Sequence, residues 1–177
     1  MSLYKILTSS NIVKSINDNL DELLILIPEL KFIIGFEHKH PHHHLDVFNH
    51  TLFALSLSES DFEIRLCLLL HDIGKPFSYQ EGENRHYFNH AKVSSIISKT
   101  ILERLHYNDD LINEVCYLIK YHDTPINKEE IIENYNLQEK RYKIQVCDAF
   151  AHNPYKLEKR IKYLNKTKKL FYKENVN

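Results

Sequence analysis

The segment from Ile64 to Leu70 constrains the fold more than any other. Ile64, Leu66, Cys67, Leu68, Leu69 and Leu70 put apolar side chains around nearly the whole circumference of a helix, and His71-Asp72 follow directly. A helix that is apolar almost all round belongs at the centre of a domain. Burying a histidine and a carboxylate at its end is costly unless something offsets their desolvation. A bound divalent cation is one solution; a hydrogen-bonded core histidine beside a polar helix end is the other.

The chain around this segment reads as helical. Three glycines, five prolines and no tryptophan in 177 residues argue against a sheet with many tight turns, and long stretches of helical period take their place. With 43% hydrophobic residues the chain suits one well-buried domain and is short for two. We expect a single all-α domain over residues 1–177, with a core of about 28–164 and a basic amphipathic helix at about 154–174. The net charge of -1 gives no global bias toward nucleic acid or anionic membrane. Cys67, Cys116 and Cys147 are odd in number, widely spaced and set among apolar neighbours, as free thiols in a reducing compartment are. No segment has the length and apolarity of a membrane span or the layout of a secretory leader, so the expected location is the cytoplasm.

Along the chain, Ile12 to Ile27 repeat at helical spacing after a cap at Ser9 or Ser10, and a short helix from Glu29 to Ile34 ends at Gly35. The histidine-crowded run His38, His40, His42, His43 and His44 has no periodicity and reads as a surface or rim loop. Asp46 caps a helix that turns His50 inward, and Ser60 or Asp61 caps the central helix. Residues 77–88 read as a loop. Asn89 caps a helix opened by His90, with Val93, Ile97, Ile101 and Leu105 on its apolar stripe. Asp109 or Asp110 caps a helix that buries His122 at its C-terminal end, and a helix of about Leu137 to His152 turns Asp148 inward. On the last helix Leu157, Ile161, Leu164 and Phe171 face the body, and Lys156, Lys159, Arg160, Lys166, Lys168 and Lys169 face outward. That basic face is a solvated helix surface or a local RNA contact.

Separate helices therefore deliver His50, His71-Asp72, His90, His122 and Asp148 to the interior, and each buried polar group left unpartnered costs of order 1–3 kcal/mol. The series His50…His71-Asp72…Asp148 resembles the HD superfamily of metal-dependent phosphohydrolases. The likeness is closest to the HD domain of some bacterial tRNA nucleotidyltransferases, in His44-Leu-Asp-Val-Phe-Asn-His50, His71-Asp-Ile-Gly-Lys75-Pro, Phe88-Asn-His90 and Asp148-Ala-Phe-Ala-His152-Asn-Pro. The paired-carboxylate nucleotidyltransferase head has no room before residue 28, so nucleotide addition is not expected of this chain. The HDxxED pattern of guanosine-tetraphosphate hydrolases and the GYP signature of the cyclic-di-GMP branch are both missing.

The resemblance implies an all-helical bundle in which His50, His71, Asp72 and Asp148 bind a divalent metal. His90 and His122 complete a second metal site or stand around the first, so one or two ions are expected. An imidazole and carboxylate set does not choose among Mn, Fe, Co, Ni, Zn and Mg. Lys75 matches a lysine that faces the substrate phosphate, alongside a role for Asp72 in catalysis; Arg85, His86 and His44 are weaker candidates for substrate contact. The implied activity is hydrolysis of a nucleotide or related phosphate ester by a metal-activated water. The alternatives are a non-catalytic module that binds nucleotide or RNA, and an HD-type diiron oxygenase. No membrane partner is expected, and nothing in the sequence indicates an oligomeric state.

Overall fold

The computed structural model describes residues 2–174. It is an all-α bundle: α1 (Leu3–Leu7), α2 (Ile12–Asp18), α3 (Leu20–Leu26), α4 (Val47–Ser56), α5 (Phe62–Leu70), α6 (His90–Arg104), α7 (Asp109–Lys120), α8 (Lys128–Glu133), α9 (Tyr135–Phe150) and α10 (Glu158–Glu174). A two-stranded antiparallel ribbon, β1 (Tyr79–Gln80) and β2 (His86–Tyr87), interrupts it between α5 and α6.

α5 lies at the centre, as its apolar circumference requires. Leu66, Cys67, Leu68, Leu69 and Leu70 are completely buried, packed among residues of α1 to α4, α6, α7 and α9. Asp61 starts it by accepting a hydrogen bond from the Ile64 N–H at 2.9 Å. Its last turn delivers His71 and Asp72 to the middle of the molecule, both no more than 1% exposed. A smaller cluster of Ile126, Ile131 and Phe171, with Tyr135 and Tyr142 against it, ties α10 to α8 and α9.

Several boundaries differ from those the periodicity suggests. The first apolar repeat is two helices, because Asn19 leaves helical geometry and its side-chain amide donates to the Ser15 carbonyl at 2.8 Å. The turn after Pro28 is a 3-10 helix, Pro28–Phe32. Asn108 rather than Asp109 or Asp110 caps α7, its side chain accepting from the Leu111 N–H. Asn89 precedes α6 in a left-handed conformation, φ 58, without a capping bond. α6 turns Ser94, Ser98, Ile101 and Leu102 inward, since small residues let the chain after Asp72 approach closely. α10 begins at Glu158, and Leu164, Thr167 and Phe171 form its buried face while Ile161 stays exposed. Among the described residues no helix is long and apolar enough to cross a membrane.

Candidate metal centre

Five helices bring an end to one point. Asp46 caps α4 by accepting from the Phe48 and Asn49 N–H groups, and this places His50 on the buried face one turn later. The end of α5 supplies His71 and Asp72, and the last turn of α9 supplies Asp148. His50 Nε2 lies 2.9 Å from Asp148 Oδ1 and 3.6 Å from Asp72 Oδ2. His71 Nε2 lies 3.2 Å from Asp72 Oδ2 and 3.6 Å from Asp148 Oδ1. His90, at the start of α6, brings Nε2 to 3.5 Å from Asp72 Oδ1, and His122, just after α7, stacks edge-on against both His71 and His90.

Each of these rings is oriented by its Nδ1–H. His50 donates to the Ala151 carbonyl at 3.1 Å, His71 to Leu68 at 2.7 Å, His90 to Tyr87 at 3.1 Å and His122 to Ile119 at 2.7 Å. In the last three the acceptor is the carbonyl three residues back, at the close of a helix or strand. Once Nδ1 carries the proton, Nε2 carries the lone pair, and all four Nε2 atoms turn toward the carboxylates. Imidazoles so held are the usual form of metal-ligating histidine.

The donor set is only partly satisfied within the protein. His71 Nε2 and both oxygens of Asp72 are buried without a hydrogen-bond partner. Lys75 Nζ comes to 2.7 Å from Asp72 Oδ2 as an ion pair, out of line for a hydrogen bond. His50 Nε2 lies 2.9 Å from Asp148 Oδ1 and donates to it only when that nitrogen also carries a proton. A cation between these atoms would give His71 Nε2 and both Asp72 oxygens a partner at once. The field agrees: burial alone would lower the His71 pKa, but Asp72 and Asp148 outweigh it and push it up to about 10. Burial opposes ionisation of Asp72 and Asp148 too, yet His71 and Lys75 hold Asp72, and His152 and His50 hold Asp148, well below the usual carboxylate range. The same negative field would favour a metal ion between these groups, which takes the place of a proton on Nε2. Burial, with His71 and His90 adding to it, lowers His122 to about 4, so it stays a neutral ligand-type ring.

Among the described residues, three groups of side chains have ligand atoms close enough to hold an ion: His50, His71 and Asp72; His50, Asp148 and His152; and Asp72, His90 and His122. The first two share His50. Asp72 belongs to the first and third, Oδ2 toward His50 and His71 and Oδ1 toward His90.

Lys75 is buried in the wall of the cleft, with Nζ 3.0 Å from His38 Nε2. The weaker candidates fare differently. Arg85 borders the cleft, but its nitrogens already donate to Glu81 and to the Glu37 carbonyl, and its guanidinium lies over Phe36 and Tyr79. It braces the ribbon rather than offering free donors. His86 is exposed at the cleft rim. His44 lines a separate depression with Gly35 and Asp46 and is not among the residues of the cleft.

Sequence reading missed three groups. His152, one turn beyond Asp148, is buried and donates Nδ1–H to the Asp148 carbonyl at 2.7 Å; its i,i+4 spacing from Asp148 was the available signal. His38 and His43 fold inward from the histidine-rich loop and stack at 3.6 Å, which no periodicity announces. Arg160, expected on the outer face of α10, has Nη1 3.6 Å from Asp148 Oδ2.

The family model of the HD domain matches residues 42–163. Among curated proteins, a CC-adding tRNA nucleotidyltransferase of Thermus thermophilus is 32% identical over 107 residues, covering 55% of this chain and 24% of that protein. An A-adding tRNA nucleotidyltransferase of Deinococcus radiodurans is 32% identical over 88 residues, covering 45% and 20%. The aligned part of the chain thus spans no more than about a quarter of these relatives. With the match over more than half its length and the histidine and aspartate series gathered at one point, this chain belongs to the HD domain family.

Proposed function

We propose that this chain is a metal-dependent phosphohydrolase, a single domain acting on a nucleotide or related phosphate ester. The observation that carries the reading is the convergence of four Nδ1-anchored imidazoles on two buried carboxylates, with His71 Nε2 and both Asp72 oxygens lacking a hydrogen-bond partner. His50, His71, Asp72 and Asp148 would hold a divalent ion, and His90 and His122 would help hold a second or stand around the first. The chemistry such ions contribute is polarisation of a phosphoryl oxygen and acidification of water toward neutral pH.

The protein's own groups do the rest. The Nδ1–H bonds to Ala151, Leu68, Tyr87 and Ile119 hold the rings in one tautomer, so no reorientation is needed when ligands bind. Lys75 places a cation in the cleft wall, where negative charge develops on a phosphoryl group. The Tyr87 ring, 5.5 Å from Lys75 Nζ, and His38 confine that ammonium. The three free cysteines suit a reducing, cytoplasmic setting.

Elemental analysis combined with a panel of phosphomonoesters and phosphodiesters tests the reading. Wild-type protein is expected to contain one or two divalent ions and to hydrolyse members of the panel. Asp72→Asn is expected to stay folded and lose metal and hydrolysis together, and Lys75→Met to keep metal while kcat/KM falls by about 10²–10³. Full metal occupancy without hydrolysis anywhere in the panel contradicts it. That result would favour a binding module instead, for which the exposed Lys166, Lys168 and Lys169 of α10 are the supporting feature. Such a module would show RNA affinity that falls with salt and with neutralisation of those lysines.

A further inference from the structure

Two cavities meet at the candidate metal centre, and they differ in kind. One, of about 170 Å³, lies over Asp72, Lys75 and His90 and is walled by histidines and cations. The other, of about 370 Å³, opens between α9 and α10 and is lined by Pro125, Ala149, Leu164 and Tyr163, with Gln145 among them. His122, Asp123, Asp148 and Arg160 belong to both. The first has room for a phosphoryl group and little more; the second is in the size range of sites that enclose a small organic ligand, roughly 300–1,000 Å³.

We propose that the chamber under α10 is the site for the nucleoside portion of the phosphate ester, and that Arg160 anchors the phosphate where the two cavities join. This rests on the hydrolase reading and adds to it where the nucleoside sits and the residues that select it. Among the described residues the ion-pair partner of Arg160 is Asp148 alone, at 3.6 Å and without a hydrogen bond, so the guanidinium retains its donors for a two-point contact with phosphate. The chamber offers what a flat heterocycle needs. The Tyr163 ring and the apolar side chains of Ala149 and Leu164 give surface for stacking. Gln145 is held in one orientation, donating from Nε2 to the Thr124 carbonyl at 2.7 Å and accepting at Oε1 from the Tyr163 hydroxyl at 3.0 Å. A side-chain amide has two donor hydrogens and two acceptor lone pairs, so these two bonds leave one donor and one acceptor of Gln145 for the polar edge of a base.

Binding of non-cleavable phosphonates to the metal-loaded full chain, measured by calorimetry, tests this without relying on turnover. The probes are the 5′-phosphonate analogues of adenosine and cytidine monophosphate, with butylphosphonate and methylphosphonate as references. At least one nucleoside phosphonate is expected to bind about tenfold or more tightly than both references, and Ala149→Leu, which fills the chamber, to abolish that difference without weakening methylphosphonate. Arg160→Gln is expected to weaken all the probes, and its thermal melt to match wild type. Equal affinity for nucleoside phosphonates, butylphosphonate and methylphosphonate in the wild-type protein overturns the proposal, and that comparison stands even if Ala149→Leu fails to fold. The two readings also fail separately. Selective nucleoside binding with no hydrolysis of any ester supports the chamber and removes the hydrolase; hydrolysis with equal phosphonate affinities does the reverse.

Discussion

Gly74 follows the His71-Asp72 pair by two residues, and its backbone presses on the start of α6. A Cβ placed there would lie 2.5 Å from the Ser94 nitrogen and 2.9 Å from the His90 carbonyl oxygen, both backbone atoms that cannot swing aside. Gly74→Ala is therefore expected to cost about 1–3 kcal/mol, read from urea unfolding. Because the clash falls on the turn that carries His90, it should also lower the number of ions bound per chain. A stability within experimental error of wild type would show that the two segments part freely. The need for a small residue at this place was visible in the sequence as a helix stop, but its cause was not: Gly74 has an ordinary negative φ and is required by close approach. The same division holds for the ligands. Helical period was enough to turn His50, His122 and Asp148 inward, whereas the tautomer of each ring depends on carbonyls such as Ala151, 101 residues from His50, that no local pattern reveals.

Among the elements, α9 does more than carry Asp148. Two turns earlier on the same helix, Arg141 is 1% exposed and donates to the carbonyls of Tyr121, Thr124 and Pro125 and to Glu130. It thereby pins the turn that holds His122 and Asp123. Removing those donors breaks the buried network at once, leaves the Pro125 carbonyl without its guanidinium and takes a bond from Tyr121, Thr124 and Glu130, so Arg141→Ala is expected to lose more than about 2 kcal/mol of stability. It should release the ion assigned to His90 and His122 before the one at His50 and His71, as seen by metal titration. Arg141→Lys should not restore the wild-type value, because an ammonium cannot span these acceptors as a planar guanidinium does. Loss of both ions together would show that the two halves are not separable. At this scale the positions of most helices were legible from apolar spacing and caps, as at Asp46 and Asp61. The exceptions have local causes: Asn19 splits one repeat by bonding back to Ser15, and the ribbon at Tyr79–Gln80 and His86–Tyr87 is too short for a period to show.

For the molecule as a whole, one ion pair joins the amino-terminal helices to the far end of α6. Arg104 makes a two-point contact with Glu29, at 2.7 and 2.8 Å. That bond lowers the Glu29 pKa from its ordinary 4.5, against the opposing effect of partial burial. A depressed folded-state pKa means that the stabilisation is fully present above pH 4.5 and is lost as the pH falls through the lowered value. Glu29→Gln should remove it at neutral pH, by no more than about 1 kcal/mol for a pair this open to solvent, and should flatten the acid side of the stability profile. An unchanged acid limb would mean that the pair contributes nothing to folding. The all-α architecture was legible at this scale from the scarcity of glycine and the apolar centre at Leu66 to Leu70. The inward turn of His38 and His43 and the approach of Arg160 to Asp148 depend on how distant segments pack, and these close the cleft above the carboxylates. The central claim, that the buried histidines and aspartates form a metal centre, is tested most directly by anomalous scattering from crystals grown with a divalent transition metal. The account predicts a peak within about 2.0–2.3 Å of the Nε2 atoms of His50 and His71 and of carboxylate oxygens of Asp72 and Asp148. A peak confined to the half-buried His40 and the exposed His42 and His86, with none among those four residues, would contradict it.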